Sequence, residues 1–331
     1  MITREEKRGP FFHGDQSARH VKRRNTMRHL ITMADLTSVE VDHIFSITED
    51  LKTKLGQGLR EPLLPGRVMA MLFEKKSLRT RVSFQTGMAH LGGTAMFLGD
   101  DVGFGKRESM ADFGAVLSEY ADVVVVRANK HETVTELAEH CTCLVINGLT
   151  DYAHPCQAMA DLYTVRELAG SLKGRTMAWV GDANNVARSL AIGCGKVGME
   201  MIMATPEKYQ FDEETHAMLK REVPDLKLTV TTDPVEAVSD AVAVYTDVWV
   251  SMGQEAEKEA RLKDFADYQV NEKLMSHAQK GTFFMHCLPA HRGEEVSAEV
   301  IDGPNSVVVQ QAGNRLHAQK GILAWLLGAK G

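Results

Sequence analysis

The chain has 331 residues, 44% of them hydrophobic, enough to bury a large core and to form two domains. No apolar run approaches the roughly 20 residues that span a bilayer and no charged-then-apolar start marks a secretory signal, so the sequence excludes a membrane role and points to the cytoplasm. The formal charge is −6, but residues 1–26 carry seven Lys/Arg against three Asp/Glu and leave a body near −10, a balance that argues against a nucleic-acid partner.

Residues 1–26 read as a flexible basic extension. From Asp35 onward, short β-rich runs alternate with amphipathic segments of about a dozen residues, the pattern of parallel sheets with crossover helices. The expected strands are RVMAMLF, GTAMFLG, DVVVVRA and CLVING in the first half. TMAWVGD, MEMIMATP, LKLTVTT, AVAVYTD, TFFMHCLP and SVVVQQA follow in the second. Between the halves lies a helical pattern, PCQAMADLYTVRELAG, closed by Gly170 and followed by SLKGR, a suitable hinge. The expected fold is α/β, with two doubly wound parallel-sheet domains.

Ligands in such sheets sit beyond the carboxyl ends of the strands, where helix N-termini present unpaired N–H groups. Seven polar clusters fall at those expected tips, on the strands ending before Ser77, Arg127, His154, Asn184, Asp247, Cys287 and Arg315. In Ser77-Leu78-Arg79-Thr80-Arg81 the serine is a good N-cap, so free N–H groups, hydroxyls and guanidinium groups converge as at a phosphate site. Arg127 closes an otherwise apolar strand, DVVVVR, and such a cation needs an anion. His154 and Gln157, on a turn stiffened by Pro155, offer donors of the oxyanion-hole kind, although a packed core imidazole would also read this way. Asp247, Ser251 and the pair Asn184 and Asn185 suit an ammonium and a carboxylate, the polar end of an amino acid. Asp247 alone would equally cap the turn after its strand.

Other patterns are decoys. GCGKVG at 193–198 matches GxGxxG but precedes a strand, so it reads as a helix ending, and GFGKRES at 103–109 lacks the spacing of a P-loop. Nucleotide binding is unsupported. The five cysteines, Cys141, Cys143, Cys156, Cys194 and Cys287, lack CxxC spacing and read as reduced thiols. HCTC at 140–143 enters a strand, where its cysteines serve as small apolar groups and not as zinc ligands.

The set SLRTR, HPCQ, DVWVSMG, HCLPAHRGEE and NRLH, in this order, closely resembles the ornithine carbamoyltransferases of the aspartate/ornithine carbamoyltransferase superfamily, from about Met27 to the C-terminus. The resemblance implies a homotrimer, or a multiple of one, that needs no metal or cofactor and makes L-citrulline and phosphate from carbamoyl phosphate and L-ornithine. It implies that Ser77, Leu78 through its backbone, Arg79, Thr80 and Arg127 hold the phosphate and that His154 and Gln157 hold the carbamoyl group. Asn185, Asp247, Ser251 and Met252 would bind ornithine, while Cys287, Leu288 and Arg315 line the reacting centre. Residues 27–170 plus 316–331 would form the carbamoyl phosphate domain and 171–315 the ornithine domain, the C-terminal helix crossing back to the first. Lys106 or Arg107, in a loop that trimer neighbours exchange, would reach an adjacent phosphate site. Two positions depart from the family: Leu78 replaces the usual Thr or Met, and Gly313 replaces an acid, a loss expected to loosen Arg315. A transcarbamylase for putrescine or N-acetylornithine would alter the SMG loop, which is intact here.

Overall fold

The computed structural model describes residues 28–99, 102–105, 107–251 and 253–328. The basic extension, Lys106 and Met252 lie outside these residues. Helix α1 (Ser38–Gly56) starts at a capping box: Thr37 Oγ1 accepts from Glu40 N at 3.3 Å and Glu40 Oε2 accepts from Thr37 N at 2.8 Å. Its Val41, Ile44, Phe45, Thr48 and Leu51 recur at helical spacing and are all buried.

The first sheet is wholly parallel, in the order β2 (Thr94–Leu98), β1 (Val68–Phe73), β3 (Val123–Arg127), β4 (Leu144–Leu149). Its crossovers are α2 (Leu78–His90), α3 (Met110–Tyr120) and α4 (His131–His140). The long helix α5 (Pro155–Ala169) then ends at Gly170, whose φ of 74° suits a residue without Cβ. The second sheet runs β7 (Lys227–Thr231), β6 (Glu200–Ala204), β5 (Thr176–Val180), β8 (Ala243–Thr246), β9 (Phe283–His286), again all parallel. Around it lie α6 (Asn185–Val197), α7 (Glu213–Glu222), α8 (Pro234–Val238), α9 (Lys258–Asp264), α10 (Glu272–Met275) and α11 (Ala298–Ile301). The central strands β1, β3 and β8 are buried almost throughout, as their continuous apolar sequences require of sheets covered on both faces.

One expected strand is a helix. SVVVQQA enters α12 (Val308–Leu326), and its pairing with the sheet is limited to an isolated bridge between Ser306 and Phe284. The three valines favour a strand locally, but Val308, Gln311, Asn314, Arg315, Ala318 and Gln319 are buried at helical spacing, so tertiary packing overrides the local preference. The C-terminal helix crosses back to the first lobe, as expected, packing on α1, α2 and α5. GCGKVG does end a helix: α6 stops at Val197, with Gly198 left-handed at φ 71°. Cys141 and Cys143 are buried in the apolar layer under β3 and β4.

Candidate active site

Every expected site residue among the described residues borders one cleft of about 960 Å³ between the two sheets. Strands of both sheets end at this cleft with their carboxyl ends; Arg315 is the exception, reaching the cleft from inside α12.

On the first lobe, Ser77 caps α2, its hydroxyl accepting from Thr80 N at 3.2 Å. The first N–H groups of this 13-residue helix face the cleft beside Arg79, whose guanidinium donates across the lobes to the Leu288 carbonyl. Arg81 turns the other way and lies 3.9 Å from the Phe97 ring centre, outside the cleft. The register shift between Val126 and Arg127 in the β3–β4 ladder marks the strand end that aims Arg127 inward. Burial, then the adjacent Arg315 and Arg79, depress Arg127 to about 10. Its Nε and that of Arg315 are buried without a partner. Three guanidinium groups gathered in one buried corner make a site with a strong preference for an anion.

His154 precedes Pro155 at the start of α5 and is tied to the second lobe through its backbone N–H, which donates to Ser189 Oγ at 2.8 Å. Burial, then Arg315, Arg127 and Arg79, hold its imidazole well below the usual histidine range. The ring is therefore neutral, and its Nδ1 is buried without a partner. Gln157 Oε1 accepts from Arg315 Nη1 at 2.6 Å, and Arg315 Nη2 reaches Thr80 Oγ1 at 3.2 Å. These bonds hold Arg315 without the acid missing at Gly313, which is exposed on α12 with open space around it.

Across the cleft, Asp247 at the tip of β8 is nearly enclosed, 8% exposed. Its Oδ1 accepts from Val248 N at 2.8 Å and from Cys287 Sγ at 3.0 Å, and its Oδ2 from Asn184 Nδ2 at 2.8 Å. The same Asn184 caps α6 through Oδ1. Asn185 borders the cleft too, but its Nδ2 is engaged with the Thr150 carbonyl at 2.6 Å, so it joins the lobes through that bond. Ser251 N donates to Gln254 Oε1 at 2.9 Å. The loop carrying it is anchored by Arg261, which donates through Nε to the Trp249 carbonyl at 2.5 Å and pairs with Asp182. Leu288 has a positive φ of 57°, and its N–H donates to His286 Nδ1 at 2.9 Å. His286 Nε2 in turn meets the buried Glu295 at 3.2 Å. Asp161, Asp182, Arg261, Tyr245 and Glu295 were not singled out in the sequence. Charged residues inside otherwise apolar helical or strand patterns were the available signal, clearest for Asp161 in PCQAMADLYTV.

The cleft joins an anion subsite, a neutral imidazole and a carboxylate–thiol pair that can receive a cationic amine, which is the outline of group transfer from a phosphorylated donor. Comparison with known proteins agrees. Residues 28–167 match the carbamoyl-P binding domain of aspartate/ornithine carbamoyltransferases, and residues 173–326 match their Asp/Orn binding domain. The ornithine carbamoyltransferase of Carboxydothermus hydrogenoformans is 51% identical over 304 residues, covering 91% of this chain and 98% of that protein. The Bacillus subtilis ornithine carbamoyltransferase is 49% identical over 303 residues, covering 91% and 94%. The solved ornithine carbamoyltransferase of Pyrococcus furiosus superposes with a TM-score of 0.88 at 47% identity, covering 92% of this chain and 98% of that one. Matched in both domains and across nearly its whole described length, the chain belongs to the aspartate/ornithine carbamoyltransferase family.

Proposed function

We propose that the chain transfers the carbamoyl group of carbamoyl phosphate to the side-chain amine of L-ornithine, giving L-citrulline and phosphate. The observation that carries this reading is the convergence of Arg79, Arg127 and Arg315 on one buried anion subsite, facing Asp247 and Cys287 across the cleft. Relatives at about half identity bear the name ornithine carbamoyltransferase.

In this reading the N-terminus of α2, Ser77, Leu78, Thr80, Arg79 and Arg127 hold the phosphate of the donor. The neutral His154 donates to the carbamoyl oxygen, and Gln157 accepts from the carbamoyl nitrogen. Asp247, with Asn185, Ser251 and Met252, binds the amino-acid end of ornithine beside Cys287, Leu288 and Arg315. The neutral amine attacks the carbamoyl carbon, a C–N bond forms, negative charge grows on the carbonyl oxygen near His154 and Arg315, and the C–O bond to phosphate breaks. The arginines favour charge on the departing phosphate more than on the ground state, which is the differential binding that lowers a barrier. Burial and the Asp247 carboxylate keep the Cys287 thiol protonated and unable to accept, and Asp247 is occupied by the amino-acid end, so the amine proton leaves with the departing phosphate.

The domain division at residue 170, with residues 316–331 returning to the first domain, would let the lobes close over both substrates and exclude water from a labile donor. Assembly as a homotrimer is supported by exposed apolar side chains beside the phosphate subsite: Leu78 is 75% exposed and Val82 50%, next to Met96 on the edge strand β2. Arg107 is exposed and does not border its own cleft, as a side chain offered to a neighbour would be. The cytoplasm suits a chain with five free cysteines and no helix long and apolar enough to cross a membrane among its described residues.

The test is citrulline formation by the purified full chain with carbamoyl phosphate and, separately, ornithine, putrescine and N-acetylornithine, with light scattering for assembly. Turnover with ornithine alone is expected; a folded protein that leaves ornithine unchanged refutes the assignment.

A further inference from the structure

Asp161 lies one turn along α5 from Gln157 and is wholly buried. Its Oδ1 accepts from Gln157 Nε2 at 2.8 Å and from Gln311 Nε2 at 2.7 Å, while its Oδ2 accepts from the Tyr245 hydroxyl at 3.0 Å. The three donors come from α5, α12 and β8, so one carboxylate behind the cleft ties the two lobes together. On its other side Gln157 faces Arg315, which donates to Oε1 at 2.6 Å. A guanidinium only donates and a carboxylate only accepts, so the Gln157 amide has one permitted orientation. Its nitrogen points inward to Asp161 and its oxygen points toward Arg315 and the cleft.

We propose that Asp161 is a positioning residue that fixes the polarity of Gln157, presenting an acceptor oxygen to the N–H of the carbamoyl group and so selecting carbamoyl phosphate over acetyl phosphate. Acetyl phosphate has the same phosphate and carbonyl but a methyl group in place of the amide nitrogen, so it can satisfy every contact except this one. The proposal rests on the carbamoyl-transfer reading above, with Gln157 against the carbamoyl group. Without the Asp161 carboxylate, only the bond to Arg315 still orders the amide, so its acceptor oxygen is held less firmly against the carbamoyl group. The phosphate contacts made by Arg79, Arg127 and α2 do not pass through Asp161, and Arg315, the third guanidinium of the anion subsite, is held by Thr80 as well as by Gln157.

The experiment compares wild type, Asp161→Ala and Asp161→Asn by three constants: the KM for carbamoyl phosphate and the competitive inhibition constants of acetyl phosphate and inorganic phosphate. Selectivity for carbamoyl over acetyl phosphate is expected to narrow about tenfold in Asp161→Ala, the worth of one hydrogen bond, with phosphate affinity unchanged. Asp161→Asn keeps an acceptor oxygen for Gln157 and Gln311, so it should restore selectivity to within about threefold of wild type. If Asp161→Ala does not accumulate as folded enzyme, Asp161→Ser is read in its place with the same expectation. Unchanged selectivity, or a fall matched by an equal loss of phosphate affinity, overturns the proposal and shows Asp161 to be structural only. Wild-type protein that turns over no carbamoyl phosphate with ornithine overturns the reading beneath it instead.

Discussion

Cys287 Sγ donates to Asp247 Oδ1 across 3.0 Å, joining the tips of β9 and β8 at the centre of the cleft. Burial, then the Asp247 carboxylate, push the thiol well above its ordinary range, so it acts as a donor at neutral pH. Cys287→Ser keeps a donor and is expected to lower kcat less than about fivefold, whereas Cys287→Ala leaves a carboxylate bond unmade and costs about 1–3 kcal/mol, roughly five- to 160-fold. Steady-state kinetics check this. Equal losses in the two variants would mean that the thiol's hydrogen bond is not its contribution.

The pH profile follows from the same groups. The attacking amine must be neutral, and a free alkylammonium titrates near about 10.4, so kcat/KM for ornithine should rise about tenfold per pH unit from pH 6 to about 9. His154, held neutral by burial and three arginines, adds no inflection at the ordinary histidine value. A step near pH 6.5 that disappears in His154→Asn would show the imidazole to be charged in the working enzyme.

Arg79 stands at the mouth of α2 and also reaches the Leu288 carbonyl. Arg79→Ala removes charge-assisted bonds worth about 1.5–3 kcal/mol each, so the KM for carbamoyl phosphate should rise at least about thirtyfold. The fold should survive, since Arg79 is only half-buried. Isothermal titration with carbamoyl phosphate and a thermal melt separate the two effects; unaltered affinity would make Arg79 a surface charge.

Burial raises Asp161 from 3.8 to about 6, against the opposing bonds from Gln311, Gln157 and Tyr245. Between those two values the folded protein binds more protons than the unfolded chain, so this group's contribution to stability falls as pH rises through the window and then levels off. Relative to Asp161→Asn, wild type should therefore lose stability from pH 4 to 6, by about 3 kcal/mol at most for a rise of roughly two pH units. Urea melts of both proteins across that range provide the comparison. A difference that does not vary with pH would place the carboxyl at its unfolded value.

Gly321 lets α12 close on α1: a Cβ there would lie 2.2 Å from Thr48 Oγ1 and 2.9 Å from the Ile44 carbonyl oxygen. The carbonyl is backbone and cannot turn away. Gly321→Ala should destabilise the protein by about 1–3 kcal/mol, the cost of overpacking, despite alanine's better helix propensity. A melting temperature at or above wild type would show that the two helices can separate without loss.

Much of this site was legible in the sequence because it lies at strand ends. In a parallel sheet the strand direction fixes which loops share a face, so RVMAMLF followed by SLRTR and AVAVYTD followed by Asp247 already placed their polar residues on one side. Arg315 was placed correctly but for the wrong reason, at the tip of a strand that is in fact the first turns of α12. The three valines from 307 to 309 carry the same local preference in either setting, and only burial between the lobes selects the helix.

The order of the strands up to β9, the cap at Ser77 and the side on which ligands gather were determined by the sequence itself, since each depends on local periodicity and chain direction. Tertiary structure decided the pairings: Asn184 with Asp247, Asn185 with Thr150, Arg81 turned onto Phe97, and Asp161 joined to partners from three elements. These depend on distances between residues up to 150 positions apart, as between Asp161 and Gln311. Hydrogen-bond partners are set by position and by the need to satisfy each buried donor and acceptor, and no local pattern in a chain encodes which distant group will arrive to do so.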